Sequence, residues 1–190
     1  MDLSNGYENI AKIFMVARDK SVGASSVRKW AKALAPGSVV LDLGCGPGNP
    51  VSKILIGEGL TVYGIDASPT MVEAFKRNFP ACPVACEAAE TSTFFDRRFD
   101  AIIAWGLMFL LPPEAQALII QKAAQALPSG GKFLFTSPSM VLEWNDALSE
   151  RLSVSLGAEK YRELLSAAGF SVTGEFADEG ENYYYDAVKL

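Results

Sequence analysis

The 190-residue sequence contains no histidine. That gap removes the Ser-His-Asp and Cys-His mechanisms and most catalytic zinc sites, which need an imidazole as base or ligand. Cysteine is scarce, with Cys45, Cys82 and Cys86 the whole set. No second pair exists to complete a four-ligand site beside Cys82 and Cys86, so no metal centre is expected. An odd, sparse set suits free thiols in a reducing compartment. Clustered basic charge is also missing. Lys and Arg total 17 against 22 Asp and Glu, giving a net charge of −5, and they are scattered. Nucleic-acid binding normally draws on clustered cations that neutralise phosphates, so such a partner is disfavoured. The longest apolar runs, such as Ala101 to Leu111, are too short and interrupted to cross a bilayer as a helix. Met1 to Asn5 carries no basic run ahead of an apolar stretch, unlike a signal peptide. The expectation is a cytoplasmic protein with neither membrane nor nucleic-acid partner.

What is present is an ordinary globular balance, 49% hydrophobic and 21% charged, over a length that suits one compact domain. Helical and extended signals alternate. Tyr7, Ile10, Phe14 and Ala17 recur at helical spacing, and so do Val27, Trp30, Ala31 and Leu34, with Gly23 between the two sets. Val39-Val40-Leu41 reads as a strand buried on both faces. Further strands are expected at 61–65, 83–86, 99–105, 132–136, 170–175 and 182–188. Helices lie between them, one opening at Pro69 behind Ser68 as N-cap. Residues 137–157 show no clear period and are expected to be irregular. This alternation predicts an α/β fold: a doubly wound, Rossmann-like, seven-stranded, mostly parallel sheet with an antiparallel last strand and helices on both faces. The acidic run Asp178-Glu179-Gly180-Glu181 reads as a solvated turn between the last two strands.

The stretch Val39-Val40-Leu41-Asp42-Leu43-Gly44-Cys45-Gly46-Pro47-Gly48 carries the most information. A buried strand runs straight into glycines at every second position, and glycine lets backbone approach a ligand closely. In open α/β sheets ligands bind beyond the carboxyl ends of strands, where the topology reverses. The next strand ends in Asp66, 18 residues beyond Gly48. A carboxylate there can accept hydrogen bonds from both ribose hydroxyls of an adenosine, at ~1.5–3 kcal/mol each. Its bland alternative is a cap for the helix at Pro69. Dinucleotide enzymes place a third glycine three positions after the second to seat a pyrophosphate on a helix N-terminus. Here the spacing is Gly44-x-Gly46-x-Gly48, and Pro47 removes a backbone donor. The loop suits a phosphate-free ligand and argues against NAD.

These two segments, with Gly64-Ile65-Asp66-Ala67-Ser68-Pro69-Thr70-Met71 as the second, resemble the class I S-adenosylmethionine (SAM)-dependent methyltransferases, in particular the type 11 and type 25 small-molecule groups. The resemblance runs from Val39 to the C-terminus. It implies a methyl transfer from SAM to a small-molecule acceptor, leaving S-adenosylhomocysteine, in a monomer or homodimer. It places Asp42, Gly44, Cys45, Gly46, Pro47 and Gly48 against the methionine and ribose, and Asp66 on the ribose. Ala67, Ser68 and Met71 fall by the adenine. The adenine amine falls to Glu87, to Glu90 or to backbone near Ala88 and Ala89, with Glu90 preferred. Trp105 and Gly106 fall beside the methionine, where Trp105 is a candidate for a cation–π contact of ~0.5–2 kcal/mol. Packing is its alternative. Residues 1–36 are expected to form a helical lid, 37–136 the SAM-binding core, and 137–190 a variable segment, the last helix and two strands. In the lid, Arg18 is the candidate partner of the SAM carboxylate and Tyr7 the candidate to face the reacting methyl. Met140, Leu142, Trp144, Asn145 and Tyr183 to Tyr185 are candidates for acceptor contact. A non-catalytic SAM-binding module remains the alternative function.

Overall fold

The computed structural model describes residues 3–17 and 21–190. Nine strands are assigned among them: β1 (Val39–Leu43), β2 (Thr61–Asp66), β3 (Val84–Cys86), β4 (Ala101–Ala104), β5 (Lys132–Thr136), β6 (Val141–Asn145), β7 (Leu152–Leu156), β8 (Phe170–Ala177) and β9 (Tyr183–Lys189). The helices are α1 (Tyr7–Ala17), α2 (Ala24–Lys32), α3 (Val51–Gly57), α4 (Pro69–Asn78), α5 (Pro113–Ala126) and α6 (Gly157–Ala167). Seven strands form one sheet in the order β3-β2-β1-β4-β5-β9-β8. Pairings from β3 to β5 are parallel, and β9 runs antiparallel to both β5 and β8. The mostly parallel sheet with its antiparallel last strand is as the alternation of signals predicts.

Successive side chains of the central strands point to opposite faces, and both faces are covered. Leu41, Ile102, Ala104, Phe133 and Phe135 join the α5 and α6 residues Ile119, Ile120, Tyr161 and Leu165. Val40, Ala101, Ile103 and Leu134 join Val27, Trp30, Ile54 and Leu55 of α2 and α3. The direction of strand order reverses between β1 and β4, so a crevice opens beyond their carboxyl ends. Among the described residues no helix is long and apolar enough to cross a membrane.

One local expectation is corrected and a second is extended. Residues 137–157 are not irregular: β6 and β7 form an antiparallel hairpin, with Leu142 opposite Ser155 and Trp144 opposite Ser153. Its inward face hides Ser153 and Ser155 where a strand pattern calls for apolar residues, which obscures the period of two. A buried polar network satisfies Ser155, while the Ser153 hydroxyl is buried without a partner among the described residues. Tyr161 donates to Gln116 Oε1 at 2.5 Å and lies 2.7 Å from Ser137 Oγ; Ser155 donates to the Pro138 carbonyl, and Gln116 to the Val154 carbonyl. The acidic turn is likewise more than solvated. Asp178 accepts from Tyr184 Oη, Gly180 N and Asn182, and Glu179 accepts from Gly23 N at the start of α2. The turn therefore docks α2 onto the sheet edge.

Candidate functional site

The glycine loop folds back over β2. Gly44 N and Cys45 N both donate to the Ile65 carbonyl, at 2.8 and 3.0 Å. Gly46 N donates to Asp66 Oδ2 at 2.8 Å, and Ser68 N donates to Asp66 Oδ1 at 2.8 Å. The carboxylate is thus held by one backbone donor on each oxygen, with further lone pairs on both. Burial pushes its pKa above the usual aspartate value, and Glu8 adds to this, against the lowering effect of the two N–H groups. The Gly46 donor, which a pyrophosphate would use, is taken by this carboxylate. Beneath the loop, Asp42 is buried and accepts from Ser52 Oγ of α3 at 2.6 Å. Burial, then Asp42 and Asp66, hold the Cys45 thiol well above its ordinary pKa, so it is protonated near neutrality and is no nucleophile.

The β4 side is set by two tethers. Gly106 N donates to Thr136 Oγ1 at 2.8 Å, and Trp105 Nε1 donates to Tyr184 Oη at 2.7 Å. The indole N–H therefore points to Tyr184 on β9. Tyr184 and Tyr185 are fully buried, Tyr185 stacked on Phe135 at 4.7 Å, so these two candidates for acceptor contact belong to the core. Tyr183 donates to Glu175 at 3.0 Å on the far side of β9.

After β3 the chain passes through Ala88 and Ala89, both buried, to Glu90, whose Oε2 is buried with no hydrogen-bond partner among the described residues. Glu87 is exposed. Lys122 of α5 organises this loop: its Nζ donates to the carbonyls of Ala89, Glu90 and Ser92 at 2.8, 3.0 and 2.6 Å and lies 4.6 Å from the Phe94 ring centroid. Burial lowers its pKa, opposed by Glu90 and Glu87. Lys122→Met removes three charge-assisted bonds while keeping the apolar stem. It is expected to weaken S-adenosylhomocysteine binding roughly 10-fold, as the loop loosens. Unchanged affinity in a calorimetric titration would count against this loop's role.

From the N-terminal side, α1 lies across the opening. Tyr7 donates to Asp146 Oδ2, in the turn between β6 and β7, at 3.3 Å, and packs edge-on against Phe14. Glu8 accepts from Ser68 Oγ, from Thr70 Oγ1 at 2.7 Å and from Thr70 N at 3.1 Å. The result is one cleft of about 200 Å³. Of the residues predicted from sequence, it is lined by Tyr7, Asp42, Gly44, Cys45, Gly46, Pro47, Asp66, Ala67, Met71, Glu87, Ala88, Ala89, Glu90, Trp105 and Gly106. Gly48 and Ser68 lie outside the lining. A Cβ on Gly48 would meet Phe79 at 2.3 Å, and the Ser68 hydroxyl caps α4 by accepting from Met71 N at 3.2 Å. Met140, Leu142, Trp144 and Asn145 do not line it either, although Trp144 packs 5.5 Å from Phe109, which does. Arg18, the expected partner of the cofactor carboxylate, is outside the described residues.

Residues 40–131 match a family model described as a methyltransferase domain. An uncharacterised methyltransferase of Synechocystis sp. is 30% identical over 154 residues, covering 74% of this chain and 70% of that protein. The chain belongs to the class I SAM-dependent methyltransferases. A second relative of this methyltransferase, the probable tRNA methyltransferase 9B of Mus musculus, is 28% identical over 77% of the chain, which spans only 34% of that longer protein. The fold is shared with the Burkholderia thailandensis 1,6-didemethyltoxoflavin-N1-methyltransferase, whose structure holds its substrate and S-adenosylhomocysteine. The TM-score is 0.76 at 20% identity, with 100% of this chain and 86% of that one covered.

The methyltransferase's own residues fit the family's cofactor. Gly46 and Gly106 have positive φ, and a Cβ on either would enter open space, so the cleft keeps room at both strand ends. Asp66 offers a charged acceptor at one end of the β1–β2 platform, and Glu90 offers an orphaned buried oxygen that suits an exocyclic amine. Four residues that matter here were not read from the sequence: Glu8, Asn5, Lys122 and Phe109. Asn5 lines the cleft with a buried Nδ2 that has no partner among the described residues. None of the four sits in a local motif: Asn5 and Phe109 line the cleft, and Glu8 and Lys122 brace its walls from α1 and α5.

Proposed function

We propose that residues 1–190 form a single methyltransferase domain acting on a small-molecule acceptor, with α1 as its lid. The observation that carries this reading is the enclosed shape of the cleft. Its outer wall is apolar, from Phe14 on the lid side and Phe109, Leu110 and Leu111 beyond β4. A cleft of this kind suits burial of a small ligand, whereas a nucleic-acid substrate calls for a basic track. The net charge of −5 supports the same choice. Three free cysteines support a reducing, cytoplasmic setting.

In this reading Asp66 accepts from the ribose hydroxyls and Gly44 to Pro47 pack beside the ribose and methionine. Ala67, Met71, Ala88 and Ala89 enclose the adenine, whose amine donates to Glu90. Trp105 and Gly106 border the methionine. When bound, SAM supplies a methyl group on a sulfonium that departs readily. The chain's task is to bind, align and exclude water, and alignment can contribute ~7–11 kcal/mol in favourable cases. Tyr7, at the lid's edge of the cleft, faces the acceptor and orients it. Lack of a histidine base suits an amine, thiol or acidic phenol.

Side-by-side calorimetry with S-adenosylhomocysteine and NAD tests the site; the first is expected to bind and the second not. Labelled SAM is then incubated with a small-molecule panel and, separately, with bulk tRNA. Label in a small molecule is the expected result. Label in tRNA alone would overturn the acceptor class, and cofactor binding without transfer to either would favour a non-catalytic module.

A further inference from the structure

We infer that Glu8 is a positioning residue that latches α1 to the start of α4 and, through Ser68, holds the Asp66 carboxylate in its ribose-binding orientation. This rests on the reading of Asp66 proposed above.

The start of α4 shows why Glu8 is needed. A helix leaves its first N–H groups without intrahelical partners. Ser68 is the N-cap and Pro69, at the first position, has no N–H. Met71 N is satisfied by Ser68 Oγ. Thr70 N, at the second position, has no local acceptor and is satisfied by Glu8, 62 residues away in sequence. Glu8 also takes the Thr70 hydroxyl and the Ser68 hydroxyl proton. Ser68 Oγ therefore donates to Glu8 while accepting from Met71 N, which uses the hydroxyl in both directions and fixes its rotamer. The same residue's backbone N–H bonds Asp66 Oδ1. An unbroken chain of contacts thus runs from the lid, through the cap, to the carboxylate in the cleft. The positive end of the α4 dipole adds to the attraction for a carboxylate placed there.

Beyond Glu8, α1 also reaches the β6–β7 turn through Tyr7. Ala11 is its one fully buried residue, and Ile13 and Val16 are 64% and 87% exposed. With so little burial, the latch has a large share in deciding whether α1 stays over the cleft. A bound ligand then favours the closed lid, and a closed lid favours bound ligand, by the same coupling free energy.

The test compares S-adenosylhomocysteine binding by calorimetry, and amide exchange of α1 with and without that ligand, in the natural sequence, Glu8→Ala, Glu8→Gln and Thr70→Val. Glu8→Ala is expected to bind about 10-fold more weakly, with α1 exchange no longer slowed by ligand and the ligand-free melting temperature lowered by the roughly 2–4 °C that a weakened α4 cap costs. Glu8→Gln keeps one acceptor oxygen and is expected to lose less. Thr70→Val should weaken binding in the same direction, and its combination with Glu8→Ala should be no worse than Glu8→Ala alone, because both cut one contact. Unchanged affinity and intact ligand protection of α1 in Glu8→Ala would overturn the inference. A lowered melting temperature with unaltered affinity would also overturn it, by showing a purely structural role. Failure of the natural sequence, or equal binding by Asp66→Ala, would instead refute the cofactor reading itself.

Discussion

Asp66→Ala is expected to bind S-adenosylhomocysteine about 100- to 1000-fold more weakly than the natural sequence. Two charge-assisted bonds to ribose hydroxyls contribute ~1.5–3 kcal/mol each, part of which water recovers in the variant. The substitution also releases Gly46 N and Ser68 N, the two donors that hold the loop and the α4 cap against this carboxylate. Asp66→Asn keeps one acceptor oxygen but sets an amide NH2 against the other backbone donor, and it should fall between the two. Near-equal affinity of Asp66→Ala by calorimetry would remove Asp66 from the site.

The same carboxylate sets a pH dependence. Burial raises the folded pKa of Asp66 above that of an ordinary aspartate. In the ligand-free protein a raised pKa favours the protonated form, so its stabilising contribution is present below the unfolded pKa and lost as pH rises through the folded value. Near neutrality the buried charge therefore costs the ligand-free protein stability, and donors from a ribose offset that cost. The ionised form is the one that accepts both hydroxyls. Ligand affinity should thus decline as pH falls through the raised value, starting at a higher pH than an ordinary aspartate gives. The rise in melting temperature produced by S-adenosylhomocysteine should shrink in step.

Gly48 and Gly46 are expected to separate stability from binding within one loop. Both have positive φ, 83° and 53°. A Cβ at Gly48 would lie 2.3 Å from Phe79 Cε2 and 3.1 Å from Phe75 Cδ2, whereas a Cβ at Gly46 meets nothing within 4 Å. Gly48→Ala combines left-handed strain with overpacking and should cost roughly 2–4 kcal/mol, or about 5–15 °C in melting temperature. Gly46→Val should cost less stability, since only the strain remains, but its side chain enters the cleft and should abolish S-adenosylhomocysteine binding. The reverse pattern, with Gly46→Val binding normally, would place the ligand elsewhere.

These glycines also show how far local pattern carries. The spacing Gly44-x-Gly46-x-Gly48 and the strand-end Asp66 were legible because each depends on neighbours within one turn and on the two-residue period of a buried strand. The roles of the three glycines were not separable, because the Phe79 ring that blocks Gly48 arrives from the end of α4. The hairpin β6–β7 was missed for a related reason: its buried Ser153 and Ser155 break the expected polarity, and only the fold supplies Ser155 with the Pro138 carbonyl as partner. Tyr184 and Tyr185 read more readily as strand packing than as pocket, and the sheet places them in the core against Phe176 and Phe135.

From the sequence by itself came the strand and helix order, the glycine platform, its acidic partner and, through these, the family. All follow from backbone preference and burial period, which act over a few residues. Tertiary structure alone decided which side chains brace the cleft: Lys122 pinning the Ala89–Ser92 carbonyls, Glu8 completing a cap 62 residues away, and Tyr7 reaching Asp146 across the opening. Such contacts depend on how the chain returns to itself, and no local spacing encodes that distance.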